Sequence, residues 1–223
     1  MPSTADETSR AVRRPQTVAI DGTFASGKGT LARRLAAHYG LVHLDTGKLY
    51  RACARDALAA GVALDDADAA AGIAARIDPD TLADPALLSN EIGQAASKIS
   101  VHPPVRAALL DYQRAVAARG AVLDGRDIGT VVCPDADAKI FVTADETVRA
   151  ERRHAELRGY GHSVTLDGVL ASLRERDHRD MNRAVAPLRP AADAHLLDTS
   201  ALSIDAAVSR AVEIVDAVLM AKA

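Results

Sequence analysis

Five short apolar runs punctuate the chain: Thr17–Asp21, Leu41–Asp45, Ala121–Asp124, Lys139–Val142 and His195–Asp198. Each has the length of a strand and is bounded by polar residues or glycine. Between them, apolar positions recur every three or four residues. Leu31 and Leu35 do so after the first run. Val105, Leu109, Tyr112 and Val116 precede the third, and Ile204, Val208, Ala211, Val215 and Val218 occupy the C-terminal end. Strands alternating with amphipathic helices predict a parallel sheet covered on both faces. Four of the five runs end in aspartate: Asp21, Asp45, Asp124 and Asp198. Such sheets bind ligands beyond the carboxyl ends of their strands, so these carboxylates are expected to border a crevice.

The first run leads into V-A-I-D-G-T-F-A-S-G-K-G-T, residues 18–30. A strand, a glycine-framed loop, a lysine and a helix together predict a phosphate-binding P-loop made of Gly22, Thr23, Phe24, Ala25, Ser26, Gly27, Lys28, Gly29 and Thr30. Glycine permits the dihedrals that turn backbone N–H groups toward phosphate oxygens, and the helix adds its positive end. Lys28 can reach the outer phosphates as a point charge. The residue after Lys28 is Gly29, so the hydroxyl comes one later, at Thr30. That G-K-G-T ending is similar to the nucleoside monophosphate kinases rather than to the switch GTPases.

Two stretches break the alternation. Residues 52–104 are rich in Ala and Asp, contain Pro79 and Pro85, and read as short helices. They are expected to form an inserted subdomain that covers the substrate. Residues 149–183 are dense in arginine and are expected to form a helical lid. The core is then 15–51, 105–148 and 184–223. Residues 1–14 are polar, lack the apolar segment of a secretory signal, and are expected to be a disordered leader.

Composition narrows the field. The 223 residues carry a net charge of −3, two Phe, four Tyr and no Trp. Neither a basic field nor stacking platforms for a nucleic acid polymer are evident. Two cysteines are too few for a disulfide framework and suit a reducing cytosol. No apolar run approaches a membrane span. A cytoplasmic monomer without a membrane partner is expected.

Three segments carry candidate chemistry. In L-D-T-G-K-L-Y-R, Thr46 and Arg51 can bind a phosphate at the end of the second strand, or Thr46 caps a helix and Arg51 is solvated. In D-G-R-D-I-G-T, Asp124 can hold a water of a magnesium shell, with Arg126 and Asp127 facing the acceptor; an ion pair closing a loop is the alternative. Thr30 and Asp124 are the candidate metal residues. In residues 173–190, Arg176, Asp180 and Arg183 fall on one helical face, preceded by Arg149, Arg152 and Arg153. Charge runs are usually solvated faces. The P-loop shifts the balance, because arginines on a mobile segment stabilise phosphoryl transfer. Lys28, Arg126, Arg152, Arg153, Arg176 and Arg183 are therefore the candidate catalytic residues. The seven histidines show no metal-ligand spacing.

These segments, with A-A-S-K-I-S-V-H-P-P-V-R and R-D-H-R-D-M-N-R-A-V-A-P-L-R-P, resemble the bacterial cytidylate kinases from about Val18 to Ser200. The resemblance implies a P-loop NTPase-type three-layer α/β fold: a five-stranded parallel sheet, a short monophosphate-binding insertion and a helical lid. It implies transfer of the γ-phosphoryl group of ATP to CMP or dCMP, with Mg2+. Thr46, Arg51 and Arg126 match positions that bind the acceptor phosphate. Ser97, Arg106 and Asp127 match those that read cytosine. Arg176, Asp180 and Arg183 match ribose and phosphate contacts near the lid. The chain departs at Thr23, Phe24 and Ala25, where relatives usually carry Pro, a small residue and often Gly. Another P-loop kinase, acting on UMP, dTMP or shikimate, is the competing reading, and a nucleotide switch without turnover is a second. The D-G-R-D segment speaks against the first, and the lack of N-K-x-D against a guanine switch.

Overall fold

The computed structural model describes residues 16–222, so the expected leader at 1–14 lies outside the described residues. In chain order the elements are β1 (Thr17–Gly22), α1 (Lys28–Tyr39), β2 (Val42–Asp45), α2 (Thr46–Ala59) and α3 (Ala67–Ala74). Two 3-10 turns, Pro79–Ala83 and Pro85–Leu88, lead to α4 (Asn90–Ile99) and α5 (Pro103–Ala117). Then come β3 (Ala121–Gly125), a single π turn at Ile128–Val132, β4 (Ala138–Thr143), α6 (Glu146–Gly159), α7 (Leu166–Asn182), β5 (His195–Asp198) and α8 (Ile204–Ala221). All five expected strands are present. Among the described residues no helix is long and apolar enough to cross a membrane.

Every strand pairing is parallel and the order is β2-β3-β1-β4-β5. The first strand is thus the central one, with Ile20 opposite Asp124 on one side and Ile140 on the other. Side chains alternate across β1. Val18 and Ile20 face Leu31 and Leu35 of α1 and Ala211 and Val215 of α8. Ala19 faces the opposite way, into a cluster with Leu44, Leu123, Ala117 of α5 and Ile128 of the π turn. Helices therefore cover both faces, the three-layer arrangement of a doubly wound sheet.

A third cluster, with Leu49, Cys53, Ala70, Ile99, Val105 and Leu109, joins α2, α3, α4 and α5. It anchors the segment expected as an insertion, and α2 runs unbroken through residue 52 into it. Helix starts are capped as the sequence allows: Asp66, Ser89, Asp145, Thr165 and Ser203 each accept a hydrogen bond from a first-turn N–H. Each such cap stabilises its helix by about 1 kcal/mol.

Candidate active site

The loop after β1 turns where the strand ends of β3 and β4 flank it. Gly22 meets Val142 so closely that a Cβ there would lie 2.0 Å from the Val142 carbonyl oxygen. No other residue fits. Gly27 takes φ 86° to start α1, and Ala25 is held at φ 61°, in the left-handed region that an L side chain rarely adopts. Ser26 is fully buried; its Oγ donates to the Thr23 carbonyl at 3.0 Å, and its own carbonyl accepts from Thr199 Oγ1 at 3.0 Å. Gly22, Thr23 and Ser26 thus shape the loop from behind. Phe24, Ala25, Gly27, Lys28, Gly29 and Thr30 line the cavity in front of it.

That cavity has a volume of about 310 Å³ and opens beyond the carboxyl ends of β2, β1 and β3. Six arginines and two lysines border it, against five carboxylates. The surplus of positive charge is under stress. Burial, followed by the nearby Arg126 guanidinium, pushes the Lys28 ammonium down to about 7, although Asp124 and Asp45 oppose the change. Burial and Arg126 likewise push Arg176 down to about 9. Groups that lose charge for want of a counter-ion are suited to an anionic ligand.

Two carboxylates stand beside the loop. Burial, and then the charge of Asp124, raise the Asp45 carboxyl above its ordinary range. Asp124 Oδ1 lies 2.8 Å from His43 Nε2 and accepts from it when that ring nitrogen carries the proton. Its Oδ2 lies 3.7 Å from the place where a Cβ on Gly29 would sit. Thr30 and Asp124, the candidate metal residues, both border the cavity. Among the described residues no cluster of three or more His, Cys, Asp or Glu could hold a metal.

Most of the rest of the cavity lining comes from α2, α4, α5, α6, α7 and the junction between β3 and the π turn. Thr46 does not cap α2 with its side chain; it is the first helical residue, and its Oγ1 donates to the Asp124 carbonyl at 2.8 Å. Arg51 is not solvated either. It donates to the carbonyls of Leu87 (2.5 Å) and Ser89 (3.2 Å), tying α2 to the second 3-10 turn. Asp127 is gripped by Arg106 at 2.5 Å and Arg183 at 3.4 Å, and the Arg106 guanidinium lies over the Tyr50 ring. Ser97 Oγ accepts from Arg179. Arg126 pairs with Asp180 at 2.7 Å; burial opposes the Asp180 charge, but Arg126 and Arg176 outweigh it and hold the carboxyl below its ordinary range.

The structure brings these residues together except for Arg152. Its guanidinium donates to Thr199 Oγ1 (3.1 Å) and the Thr199 carbonyl (2.7 Å), outside the cavity. Neighbours on a helix point about 100° apart, so Arg153 lines the cavity and Arg152 does not. The expectation that both arginines reach the transfer site is corrected here. Sequence reasoning also missed several residues. Tyr50 is half-buried, with its hydroxyl pushed up to about 12 by desolvation. His43 sits two residues before Asp45, on the same side of β2. Asp21 accepts from the N–H groups of Ile128 (2.7 Å) and Gly129 (2.8 Å), fixing the π turn that carries Asp127. The aspartates at the strand ends were visible signals; their hydrogen-bond partners, distant in sequence, were not.

The family model for cytidylate kinase matches residues 18–217. The chain belongs to the cytidylate kinase family. A cytidylate kinase of Bradyrhizobium sp. (strain ORS 278) is 56% identical over 203 residues, covering 90% of this chain and 96% of the relative. One from Rhodopseudomonas palustris (strain BisB18) is 57% identical with the same coverage. A crystal structure of an uncharacterized protein from Eubacterium ventriosum ATCC 27560 shares the fold, with a TM-score of 0.53, 13% identity, and 92% of this chain and 99% of that chain covered. Residues of the glycine-framed loop and Asp127 line one and the same cavity.

Proposed function

We propose that this protein phosphorylates CMP and dCMP with ATP. An oxygen of the acceptor's phosphate attacks the γ-phosphorus, the bond to the β–γ bridging oxygen breaks, and ADP leaves with that oxygen's charge. The acceptor phosphate has a second pKa of about 6 and is largely a dianion at neutral pH, so no general base is required. What the reaction needs is positive charge that lets two anions meet. Lys28 and the loop N–H groups hold the donor phosphates. Arg126, Arg153 and Arg176 border the space between donor and acceptor. Thr46 and Arg51 adjoin the acceptor phosphate, and Asp180 keeps Arg126 oriented.

The single observation that carries the substrate choice is the buried Arg106–Asp127–Arg183 group at the far end of the P-loop cavity. A carboxylate beside a guanidinium presents an acceptor and a donor side by side. Cytosine offers the N4 amine and the N3 acceptor in complementary order, whereas uracil reverses both. Ser97 adds a hydroxyl to the same wall.

Magnesium fits Thr30 and Asp124. Two carboxylates, the half-buried Asp45 and the buried Asp124, sit beside the loop, and the rise of Asp45, from desolvation and then the charge of Asp124, marks a place that favours a cation. A bound magnesium supplies charge neutralisation at the phosphate oxygens. Free Cys53 and Cys133 suit a reducing cytosol, and we take the monomer as the working unit.

A panel of CMP, dCMP, UMP, dTMP, AMP and shikimate with magnesium-ATP, read by ADP formation, tests the proposal. Turnover with CMP and dCMP well above the others is expected. Equal use of UMP would remove the base-reading assignment, and no turnover with any acceptor would remove the kinase reading.

A further inference from the structure

Phe24 is a large aromatic at the tip of a loop whose work is to present backbone to phosphates. Its ring is the face on which two cavity arginines rest: the Arg176 guanidinium lies 4.1 Å from the ring centroid and that of Arg153 lies 5.6 Å away. Arg176 has few other holds. Its Nε is buried without a hydrogen-bond partner, and its Nη1 reaches the Gly93 carbonyl only at 3.4 Å. A ring face attracts a guanidinium without using up its N–H groups, which stay free for a ligand.

The backbone of Phe24 is tied to the same two helices. Its N–H donates to Asp177 Oδ1 of α7 at 3.3 Å, and its carbonyl accepts from Arg149 Nη1 of α6 at 3.0 Å. Arg149 also pairs with Asp177 at 2.6 Å, closing a three-cornered knot. The knot explains why Ala25, the next residue, is held at positive φ. The loop tip, α6 and α7 are thus joined both through the backbone of one residue and through its ring.

We propose that Phe24 is a positioning residue for phosphoryl transfer: its ring holds Arg153 and Arg176 poised over the donor loop, and its backbone couples the loop tip to α6 and α7. Without the ring, the two guanidinium groups must be gathered anew for each turnover, which lowers kcat more than it weakens ATP binding. The role rests on the CMP-kinase reading for its kinetic consequence, but not for the stacking itself.

The test compares Phe24→Leu, Phe24→Met and Phe24→Tyr, alone and with Arg176→Lys, after thermal melting identifies the folded variants. Two aliphatic replacements are used so that a fold lost in one leaves the other. Expected is a fall in kcat of about tenfold for Leu or Met with KM for ATP within about twofold, and near-normal kcat for Tyr, which keeps the ring. The loss on Phe24→Leu should be clearly smaller in the Arg176→Lys background than in the wild type, because the nearer of the two ring contacts is already broken there. In parallel, the side-chain NMR resonances of Arg176, assigned by loss in Arg176→Lys, should carry an upfield ring-current shift. That shift should persist in Phe24→Tyr and vanish in Phe24→Leu and Phe24→Met. Unchanged kcat in the aliphatic variants, equal impairment by Tyr, additive losses with Arg176→Lys, or an Arg176 shift indifferent to the ring would each overturn the proposal. Should the wild type phosphorylate no monophosphate, the kinase reading fails separately, and the resonance arm still decides whether Phe24 places the arginines.

Discussion

Lys28 enters the site with its charge already weakened, and this makes binding and protonation one event. A polyphosphate beside the ammonium favours the charged form, so the group's pKa must rise from about 7 when donor nucleotide binds. Above pH 7 the free protein therefore takes up a proton as the complex forms, and affinity for ATP declines as pH rises through the window above 7. Titration calorimetry at pH 8, in buffers of differing ionisation enthalpy, should show net proton uptake in the wild type and its loss in Lys28→Met. The same variant should lose about 10²–10³-fold in kcat, the scale for deleting one donor aimed at developing charge. Asp127 gives a second expectation. In Asp127→Asn an amide can turn its NH2 toward uracil O4, so kcat/KM for CMP should fall and the CMP-to-UMP ratio narrow; an unchanged ratio would remove Asp127 from base reading. Lys28 was legible because it stands at the loop-to-helix junction of a glycine-framed motif, and Arg126 and Asp127 because they adjoin a strand end within a short motif. The role of Asp21 was not, since its partners Ile128 and Gly129 lie more than a hundred residues away.

At the scale of elements, α6 and α7 carry Arg153, Arg176 and the approach to Arg183 from one side of the cavity. We expect them to tighten when both nucleotides are present, since two anions supply the counter-charge that the arginines lack. Hydrogen exchange measured with and without ATP plus CMP should show added protection across 149–183. Equal exchange in both states would argue against a closing lid. Periodicity made these helices readable, along with α1, α5 and α8. The π turn at Ile128–Val132 was not readable, because one irregular turn leaves no repeat in the sequence. It forms because Asp21 pins its first N–H groups from the neighbouring strand.

For the molecule as a whole, strand count and direction followed from alternation, but strand order did not: no residue pattern says that β1 lies between β3 and β4. That order has a consequence for how the chain is born. During synthesis β1 and β2 leave the ribosome first, yet they never pair with each other, because β3 separates them in the sheet. β1 waits from Gly22, and β2 from Asp45, until Ala121 is made, each with open edges and no native neighbour. Emergence of Ala121–Gly125 then closes β2, β3 and β1 together in one step. The nascent kinase is thus most in need of chaperone cover over its first half, and a translational pause would let β2, β3 and β1 pair only at codons far enough beyond Gly125 for that strand to have cleared the exit tunnel.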